Sequence, residues 1–272
     1  ARDKQLGDAM KEKIVAIVLG AGEGKRMGSG IPKQYMIIKS RPLIYYALKA
    51  FEHSPVDEVI LVTGEDEIDY CKKYIVDKYQ FEKVSRIVAG GRERYESVYL
   101  GLRSIGEADY VLIHDGARPM LNADIIRKCI INVRRHKACV VGMPSKDTIK
   151  IADENGMVAS TPSRRKLWQV QTRQCFDFNL IYDAYQKLMD SGDTTATDDG
   201  MVLENYGDQR VKVKLIEGSY DNIKVTTPED VRIAGSLVKA RKLFRFLHNV
   251  HDKIIYLQMK ILQKRFFTKK KK

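Results

Sequence analysis

Ile14-Val15-Ala16-Ile17-Val18-Leu19 runs directly into Gly20-Ala21-Gly22-Glu23-Gly24-Lys25-Arg26-Met27, and Ile31-Pro32-Lys33-Gln34 follows shortly after. The apolar run is rich in β-branched side chains, which predicts a buried parallel strand. The loop after it consists mainly of small residues, which let backbone N–H groups approach an anion closely. We therefore expect this loop to hold a phosphate group, with Arg26 and Lys33 adding positive charge on either side.

The glycines of this loop do not by themselves specify a nucleotide site. Gly20, Gly22 and Gly24 lack the G-x-G-x-x-G spacing of a dinucleotide fingerprint, and no lysine–serine pair of a P-loop follows them. A plain strand-to-helix turn would use the same residues. The added Arg26-Met27 and Pro32-Lys33-Gln34 resemble the signature of sugar-nucleotide pyrophosphorylases and nucleotidylyltransferases, which favours the phosphate interpretation.

Beyond this loop, short apolar runs alternate with segments of helical length. Runs typical of strands cover Val15–Leu19, Glu58–Thr63, Ser85–Val88, Tyr110–His114, Cys139–Met143 and Val211–Ile216. Segments typical of helices cover Leu43–Ser54, Glu67–Tyr79, Tyr95–Ile105 and Asn122–His136. This repetition predicts an α/β fold with a doubly wound, mostly parallel sheet. Ligands bind beyond the carboxyl ends of such strands, where the loops at Gly20, Gly90 and Asp115 fall.

The pattern changes between residues 145 and 168, where short alternating runs flank the turn signal Asn155-Gly156. Such a dipeptide between alternating runs predicts a β-hairpin. We expect a hairpin arm inserted in the α/β domain, and arms of this kind often serve dimerisation. Further along, Thr227 followed by Pro228 predicts a helix start with Thr227 as its N-cap.

The net charge of +13 is unevenly distributed, because Ser236 to Lys272 contains twelve lysines and arginines against one acidic residue. The rest of the chain is close to neutral, so the composition does not indicate a nucleic-acid-binding protein. Over residues 237–272, apolar residues recur among the cations, which predicts a basic amphipathic helical extension. Such a helix either is a solvated appendage, contacts a partner enzyme or binds weakly to an anionic membrane surface.

The length suits one large α/β domain with an appendage. The chain has no run of 18 apolar residues, and its polar start does not resemble a signal peptide. The four cysteines lack C-x-x-C spacing, which favours buried free thiols in a reducing cytoplasm over a metal site. We therefore expect a cytoplasmic protein.

Asp115 directly follows the apolar run Tyr110–His114 and precedes Arg118 by three residues. Two interpretations are open. Asp115 caps the next helix and pairs with Arg118, or Arg118 orients it toward a sugar hydroxyl or a metal-bound water. A carboxylate at a strand end beside a phosphate loop is typical of metal-dependent group transfer.

Taken together, the motifs resemble those of the 2-C-methyl-D-erythritol 4-phosphate cytidylyltransferases, enzymes of non-mevalonate isoprenoid biosynthesis. The resemblance covers about Lys13 to Leu237 and implies a Rossmann-like nucleotidyltransferase domain over residues 13–236, followed by the extension. It rests on ordered motifs: Ala21-Gly22-x-Gly24-x-Arg26-Met27, Pro32-Lys33-Gln34-Tyr35, Gly90-Gly91-x-x-Arg94-x-x-Ser97-Val98, His114-Asp115-x-Ala117-Arg118-Pro119, Lys146-Asp147-Thr148-Ile149-Lys150, Leu167-Trp168-x-x-Gln171-Thr172, Thr197-Asp198-Asp199 and Asn222-Ile223-Lys224-Val225-Thr226.

This resemblance implies transfer of the cytidylyl group of CTP to 2-C-methyl-D-erythritol 4-phosphate, with Mg²⁺, to give CDP-methylerythritol and pyrophosphate. It assigns the catalytic role to Arg26 and Lys33. It implies CTP contacts for Gly20, Ala21, Gly22, Gly24, Gly91, Arg94, Ser97 and Gly116. It implies acceptor contacts for Asp115, Arg118, Thr148, Arg164, Thr172 and Lys224, and a metal contact for Asp115. It also implies a homodimer in which residues of the arm region reach the partner's site.

One departure from the family pattern is Arg173, which stands where proline is usual and adds a cation near the expected phosphate pocket. Two other functions stay open. A cytidylyltransferase acting on ribitol 5-phosphate or a similar polyol phosphate would share the CTP half of the site, although Lys146-Asp147-Thr148 and Arg164 favour methylerythritol phosphate. A non-catalytic nucleotide-binding scaffold is the other, and it is disfavoured by the joint presence of Arg26, Lys33, Asp115 and Lys224.

Overall fold

The computed structural model of the protein describes residues 11–22, 32–241 and 243. Its strands, in chain order, are β1 (Ile14–Leu19), β2 (Ile37–Ile38), β3 (Arg41–Pro42), β4 (Glu58–Thr63), β5 (Val84–Ala89), β6 (Tyr110–Asp115), β7 (Ala138–Pro144), β8 (Ile151–Ala152), β9 (Val158–Ser160), β10 (Trp168–Asp177) and β11 (Lys214–Glu217). Seven of them form one sheet in the order β11-β7-β10-β6-β1-β4-β5.

The predicted first strand is confirmed as the centre of a parallel set. β1 pairs in parallel with β4 and β6, so Ile17 lies between Ile60 and Ile113. All three of these side chains are fully buried. Since both neighbours of β1 are parallel strands covered on both faces, the continuous apolar run is what this position requires.

The central strand β10 was not predicted. It lies between β6 and β7 and is antiparallel to both, so the sheet is mixed at this point. A buried strand is normally recognised by its apolar residues. The buried part of β10 contains the polar residues Thr172, Arg173 and Gln174, so the sequence does not show the strand. The predicted strand Val211–Ile216 is present but shorter, as β11.

The helices are α1 (Leu43–Glu52), α2 (Ile68–Cys71), α3 (Arg94–Arg103), α4 (Ala123–His136), α5 (Phe178–Ser191), α6 (Asp199–Tyr206) and α7 over residues 228–241. Side chains of α1, α2 and α4 pack on one face of the sheet, and those of α3, α5 and α6 pack on the other. The predicted doubly wound arrangement is therefore confirmed. The stretch predicted as one helix over Glu67–Tyr79 is a 3₁₀ turn, then α2, then a π-helical turn over Lys72–Asp77.

The segment between β7 and β10 contains a small antiparallel pair, β8 with β9. Its turn ends at Gly156, whose φ of +79° is in the region that favours glycine. Three apolar side chains around the turn are exposed: Ile151 at 51%, Met157 at 67% and Val158 at 61%. The hairpin therefore presents an apolar surface to solvent in this chain.

Helix α7 begins as predicted, because the Thr227 hydroxyl accepts a hydrogen bond from the Asp230 N–H at 3.4 Å. The helix continues without a break past residue 236, and Val238 packs beside Ala234 in a cluster that includes Ala117. The first residues of the predicted extension thus belong to the body of the protein. The rest of the extension, from residue 244 on, lies outside the described residues.

Candidate active site

A cavity of about 150 Å³ opens at the carboxyl ends of β1 and β6. Several residues predicted from sequence line it: Gly20, Ala21, Gly22, Lys33, Gly91, Arg94, Ser97, Asp115 and Lys224. They come from five separate parts of the chain, which the sheet brings together at one edge. Arg26 and Gly24 lie outside the described residues, so their predicted roles stay predictions.

The wall beside the β1 loop needs glycine at position 90. A Cβ added to Gly90 would lie 2.5 Å from the Ala21 Cβ and 2.7 Å from the Ser97 Oγ. Since such distances are far inside van der Waals contact, a side chain here would push the two loops apart. On the other side of the loop, a Cβ added to Gly22 would lie 3.8 Å from the Lys33 Nζ, which places that ammonium beside the loop.

The turn that carries Lys33 is held from below by the carboxylate of Glu67. One oxygen of Glu67 accepts hydrogen bonds from Gln34 Nε2 at 3.2 Å and from the Tyr35 hydroxyl at 2.8 Å. It also accepts one from the Thr63 hydroxyl at 2.9 Å, at the end of β4. Burial is the main reason that the pKa of Tyr35 is raised far above its ordinary value, so its hydroxyl stays a donor. Glu67 thereby fixes the residues next to Lys33 to the sheet.

Asp115 ends β6 and is 5% exposed. Its carboxylate lies 2.8 Å from Lys224 Nζ, 3.4 Å from Arg94 Nε and 3.8 Å from Arg118 Nε. Burial by itself would raise the pKa of Asp115, but the three cations hold it well below its ordinary value. The carboxylate is therefore ionised at neutral pH, and the cluster carries excess positive charge.

Asp115 does not cap the next helix. Asn122 does so instead, since its side chain accepts a hydrogen bond from the Ile125 N–H at 2.9 Å. The predicted Asp115–Arg118 pair is present, and Arg118 also donates to the Asn222 carbonyl at 2.7 Å. Arg118 and Lys224 thus hold the segment after β11 against the end of β6.

The guanidinium of Arg94 is oriented by the carboxylate of Asp199, a residue to which the sequence analysis gave no role of its own. The guanidinium makes two parallel hydrogen bonds to Asp199, at 2.8 and 2.9 Å. Tyr185 donates a further hydrogen bond to Asp199 at 2.6 Å. Burial would lower the pKa of Arg94, but Asp199 and Asp115 raise it well above its ordinary value. A bidentate pair of this kind fixes the plane as well as the position of the guanidinium.

Two predicted CTP contacts are occupied within the protein itself. The Ser97 hydroxyl accepts a hydrogen bond from the Gly91 N–H at 3.1 Å and donates to the Glu93 carbonyl at 3.2 Å. The Gly116 N–H donates to the Leu19 carbonyl at 2.8 Å. These bonds shape the turn after β5 and join the ends of β1 and β6, and a direct contact with CTP stays a prediction for both.

Thr172 lies behind Asp115 rather than in the cavity wall. Its hydroxyl accepts a hydrogen bond from the Asp115 N–H at 3.1 Å and lies 3.5 Å from Nδ1 of His114. His114 is fully buried, and its burial together with the charge of Arg173 lowers its pKa to about 3. The imidazole is therefore neutral at neutral pH.

Thr148 and Arg164 are not brought to the cavity within this chain. Both are exposed residues of the arm region, and Arg164 donates to the Lys146 carbonyl at 3.1 Å. Arg173, expected near the phosphate pocket, is instead 2% exposed and interacts with the thiols of Cys129 and Cys175. It lines a different cavity from the one that contains Asp115.

The Mg²⁺ contact predicted for Asp115 stays a prediction. Three cations already surround its carboxylate. Over the described residues, no group of three or more histidine, cysteine, aspartate or glutamate side chains is placed to hold a metal ion. The described residues thus fit an anionic ligand better than a resident cation.

Comparison with known proteins assigns the chain to a family. The model of the 2-C-methyl-D-erythritol 4-phosphate cytidylyltransferase family matches residues 14–240. The chain belongs to this family. Its expected class, a nucleotidyltransferase enzyme, is thereby confirmed. Among the described residues, no helix has both the length and the apolarity to cross a bilayer.

Two relatives that bear the family name match this chain over almost their whole length. One from Lachnoclostridium phytofermentans is 46% identical over 233 residues, with 86% of this chain and 99% of that protein covered. One from Lachnospira eligens is 50% identical over 226 residues, with 82% and 98% covered. The crystal structure of 4-diphosphocytidyl-2C-methyl-D-erythritol synthase from Anaerococcus prevotii is 34% identical with a TM-score of 0.74, covering 84% of this chain and 96% of that one.

Sequence reasoning missed the two anchoring carboxylates, Glu67 and Asp199. Asp199 stood within the quoted motif Thr197-Asp198-Asp199, but the sequence does not show which basic residue it faces. Glu67 lay in a segment predicted simply as helix. Both act at a distance of many residues along the chain, so only the fold reveals their partners.

Proposed function

We propose that the protein transfers the cytidylyl group of CTP to 2-C-methyl-D-erythritol 4-phosphate and releases pyrophosphate. One observation carries this proposal. The cavity joins the β1 loop and Lys33 to the Asp115–Lys224 pair, so a triphosphate site and a site for a polar acceptor share one space. Membership of the family supports the identity of both substrates.

In this reaction, an oxygen of the acceptor phosphate attacks the α-phosphorus of CTP. A new P–O bond forms, the bond from the α-phosphorus to the bridging oxygen breaks, and pyrophosphate leaves with that electron pair. A phosphate monoester is largely dianionic at neutral pH, so the attacking oxygen needs no general base. The protein therefore has to supply position and positive charge.

The described cations divide this work between the two substrates. Lys33, beside Gly22, is placed to offset negative charge on the triphosphate. Lys224 and Arg118 both lie beside Oδ2 of Asp115, and Lys224 also lines the cavity, where it would receive the acceptor. Asp115 is held ionised and offers hydrogen-bond acceptors to the hydroxyl groups of a polyol. Arg26 is the second proposed stabiliser of the transition state.

We further propose that Mg²⁺ arrives bound to the CTP triphosphate, since the described residues do not form a metal site. A homodimer through the arm is also proposed, supported by the exposed apolar side chains of β8, β9 and their turn. It would let Thr148 and Arg164 reach the partner's cavity. The four buried free cysteines support a cytoplasmic location. Weak membrane contact of the extension stays a prediction.

The test is a pyrophosphate-release assay with CTP, Mg²⁺ and 2-C-methyl-D-erythritol 4-phosphate. Wild-type protein should turn over, and Lys33→Ala and Arg26→Ala should each lower turnover by about 10²-fold, as the loss of a positioned charge donor does. Lys212→Ala, at an exposed lysine outside the cavity, is the matched control. Near-normal turnover in both site variants would overturn the assigned roles.

Ribitol 5-phosphate in the same assay separates the second candidate function. A higher kcat/KM with ribitol 5-phosphate would replace the proposed acceptor. Binding of CTP without pyrophosphate release from either acceptor would identify a non-catalytic scaffold.

A further inference from the structure

Arg173 is a buried cation that the proposed reaction does not use. It is 2% exposed, and its Nε and Nη1 groups have no hydrogen-bond partner among the described residues. Within the same part of the chain, no carboxylate lies within ion-pair distance of it, although Asp115 on the adjacent strand has three cations. The Arg173 guanidinium interacts with the thiols of Cys129 and Cys175 instead. Burying a guanidinium without a carboxylate counter-ion is costly, so this arrangement needs an explanation.

Arg173 lines a cavity of about 240 Å³ on the opposite side of β10 from Thr172 and Asp115. The first turn of α4 forms another part of the wall, with the N-cap Asn122 and Ile125. The positive end of this 14-residue helix and the Lys128 ammonium therefore add to the charge of Arg173. Two acidic residues, Asp124 and Glu217, also line the cavity, but both are exposed, and Asp124 is paired with Arg127 at 2.8 Å.

Asn222 provides an unpaired acceptor on the same cavity. Its Oδ1 is buried without a partner among the described residues, while its amide nitrogen donates to the Thr172 carbonyl at 3.1 Å. Within the described part of the chain, two side chains of this wall thus carry unpaired groups, the two N–H donors of Arg173 and the carbonyl oxygen of Asn222, and all three atoms are covered by protein. A hydrogen phosphate group matches this set, because it carries negative oxygens together with an O–H donor.

We propose that this cavity is a second anion site, which binds a small phosphate-type oxyanion against Arg173. It is separate from the CTP cavity, with no lining residue in common. The two cavities meet through one short segment, since Asn222 lines this cavity and Lys224, two residues later, lines the other. Inorganic phosphate and pyrophosphate share the required chemistry, and pyrophosphate would make the site respond to a product of the proposed reaction.

Isothermal titration of the full chain with inorganic phosphate, and separately with pyrophosphate, tests the proposal. The comparison is wild type against Arg173→Met, with Arg135→Met, at an exposed arginine on α4 outside the cavity lining, as a matched control. Any binding in the CTP cavity is common to all three proteins, so the difference isolates the second site. We expect Arg173→Met to lose at least 10-fold in affinity for one of the two anions, and Arg135→Met to stay within about 2-fold.

Crystals soaked in arsenate locate the site directly, because arsenic gives an anomalous signal and arsenate has the shape of phosphate. A peak within hydrogen-bond distance of Arg173 is expected. If Arg173→Met fails to fold, Lys128→Met should still weaken binding by about 3-fold, because Lys128 is exposed and adds charge beside the cavity, where its ammonium donates to the Glu217 carbonyl at 3.1 Å. Equal titrations of wild type and the site variants, or an anomalous map with no peak in this cavity, would overturn the proposal.

One internal alternative is measurable in the same proteins. Hydrogen bonds with Cys139 and Cys175, together with the charge of Arg173, lower the pKa of the Cys129 thiol. A thiolate at Cys129 would supply the missing negative charge from within the core. Thiolate absorbance near 240 nm at neutral pH that disappears in Cys129→Ser, together with no anion binding, would overturn the anion site.

Discussion

Asp115 and Arg173 are two buried charged residues on adjacent central strands, and they differ in whether the protein places opposite charges beside them. Asp115 is 5% exposed and has Lys224, Arg94 and Arg118 around it. Arg173 is 2% exposed and, within the described part of the chain, has neither a carboxylate partner nor a complete set of hydrogen bonds. The charge of Asp115 is compensated by cations before any ligand arrives, whereas Arg173 has only the thiols of Cys129 and Cys175 beside it.

This difference separates a site built in advance from a site that is incomplete alone. Around Asp115, the protein has already met the desolvation cost with ion pairs, so the cluster keeps its geometry while substrates come and go. Around Arg173, the cost is still present in the folded protein. A bound anion would lower it, whereas nothing further is needed at Asp115.

The largest expected effect is that of removing the charge of Asp115. Asp115→Asn leaves the neighbouring cations without their shared carboxylate, so turnover with CTP and acceptor should fall by about 10²-fold. The free energy of unfolding should fall by about 2 kcal/mol, less than for a fully buried pair because Arg94 keeps Asp199. Urea unfolding and the pyrophosphate assay measure both effects. Asp124→Asn, at an exposed carboxylate, should change neither, and an unaffected Asp115→Asn would contradict the compensated site.

His114 sharpens the comparison through pH. Its pKa is about 3 in the folded protein, because of burial first and then the charge of Arg173. The unfolded chain has an ordinary histidine pKa near 6.5, so below that pH the unfolded state binds a proton that the folded state does not. The free energy of unfolding should therefore fall by about 1.4 kcal/mol for each pH unit between pH 6 and 5.

His114→Gln should remove most of this pH dependence, and His136→Gln, at an exposed histidine, should leave it unchanged. Urea unfolding at several pH values gives the slopes. Asp115 works in the same direction at lower pH: its pKa is lower when folded, so its contribution is present above about pH 4 and is lost on further acidification. Parallel slopes in wild type and His114→Gln would refute the buried neutral imidazole.

The smallest expected effect is at Arg173, and it has the opposite sign from Asp115. In buffer without phosphate, Arg173→Met should raise the free energy of unfolding by about 1 kcal/mol, since it removes a buried charge that lacks a counter-ion. Added phosphate should stabilise wild type and so reduce the difference in the free energy of unfolding between wild type and Arg173→Met. Urea unfolding with and without phosphate measures this, and Arg135→Met, at an exposed arginine of α4, controls for loss of charge. A large destabilisation in both buffers would show that Arg173 is already compensated within the core.

The sequence predicted the parallel core well because that core obeys local rules. The apolar run at Ile14–Leu19 and the strand Glu58–Thr63 are found where predicted. The residues that gather at the strand ends were also predicted, since parallel strands bring their carboxyl ends to one edge. The helix predicted from Asn122 onward is also present, and Asn122 is its N-cap. Asp115, the other candidate for that cap, does not fill this role.

What could not be predicted depends on contacts between distant parts of the chain. β10 looks polar in sequence because its buried polar side chains have partners elsewhere in the fold. Thr172 accepts a hydrogen bond from the Asp115 N–H, Arg173 lines a cavity, and Gln174 donates to Asp198 at 2.7 Å. Helices α5 and α6 were not predicted either, although Asp177 and Asp198 cap them through their side chains. The anchoring of Arg94 by Asp199 spans 105 positions and leaves no local pattern.

The position of β10 has a consequence for how the chain acquires its structure. This strand is the tenth to be synthesised, yet it separates β6 from β7 in the finished sheet. Until residues 168–177 have left the ribosome, the parallel half β6-β1-β4-β5 has an open edge at β6. Unpaired edges invite wrong partners. A growing chain that pauses within the hairpin arm would therefore be at its most vulnerable to misassembly, just before its last central strand closes the gap.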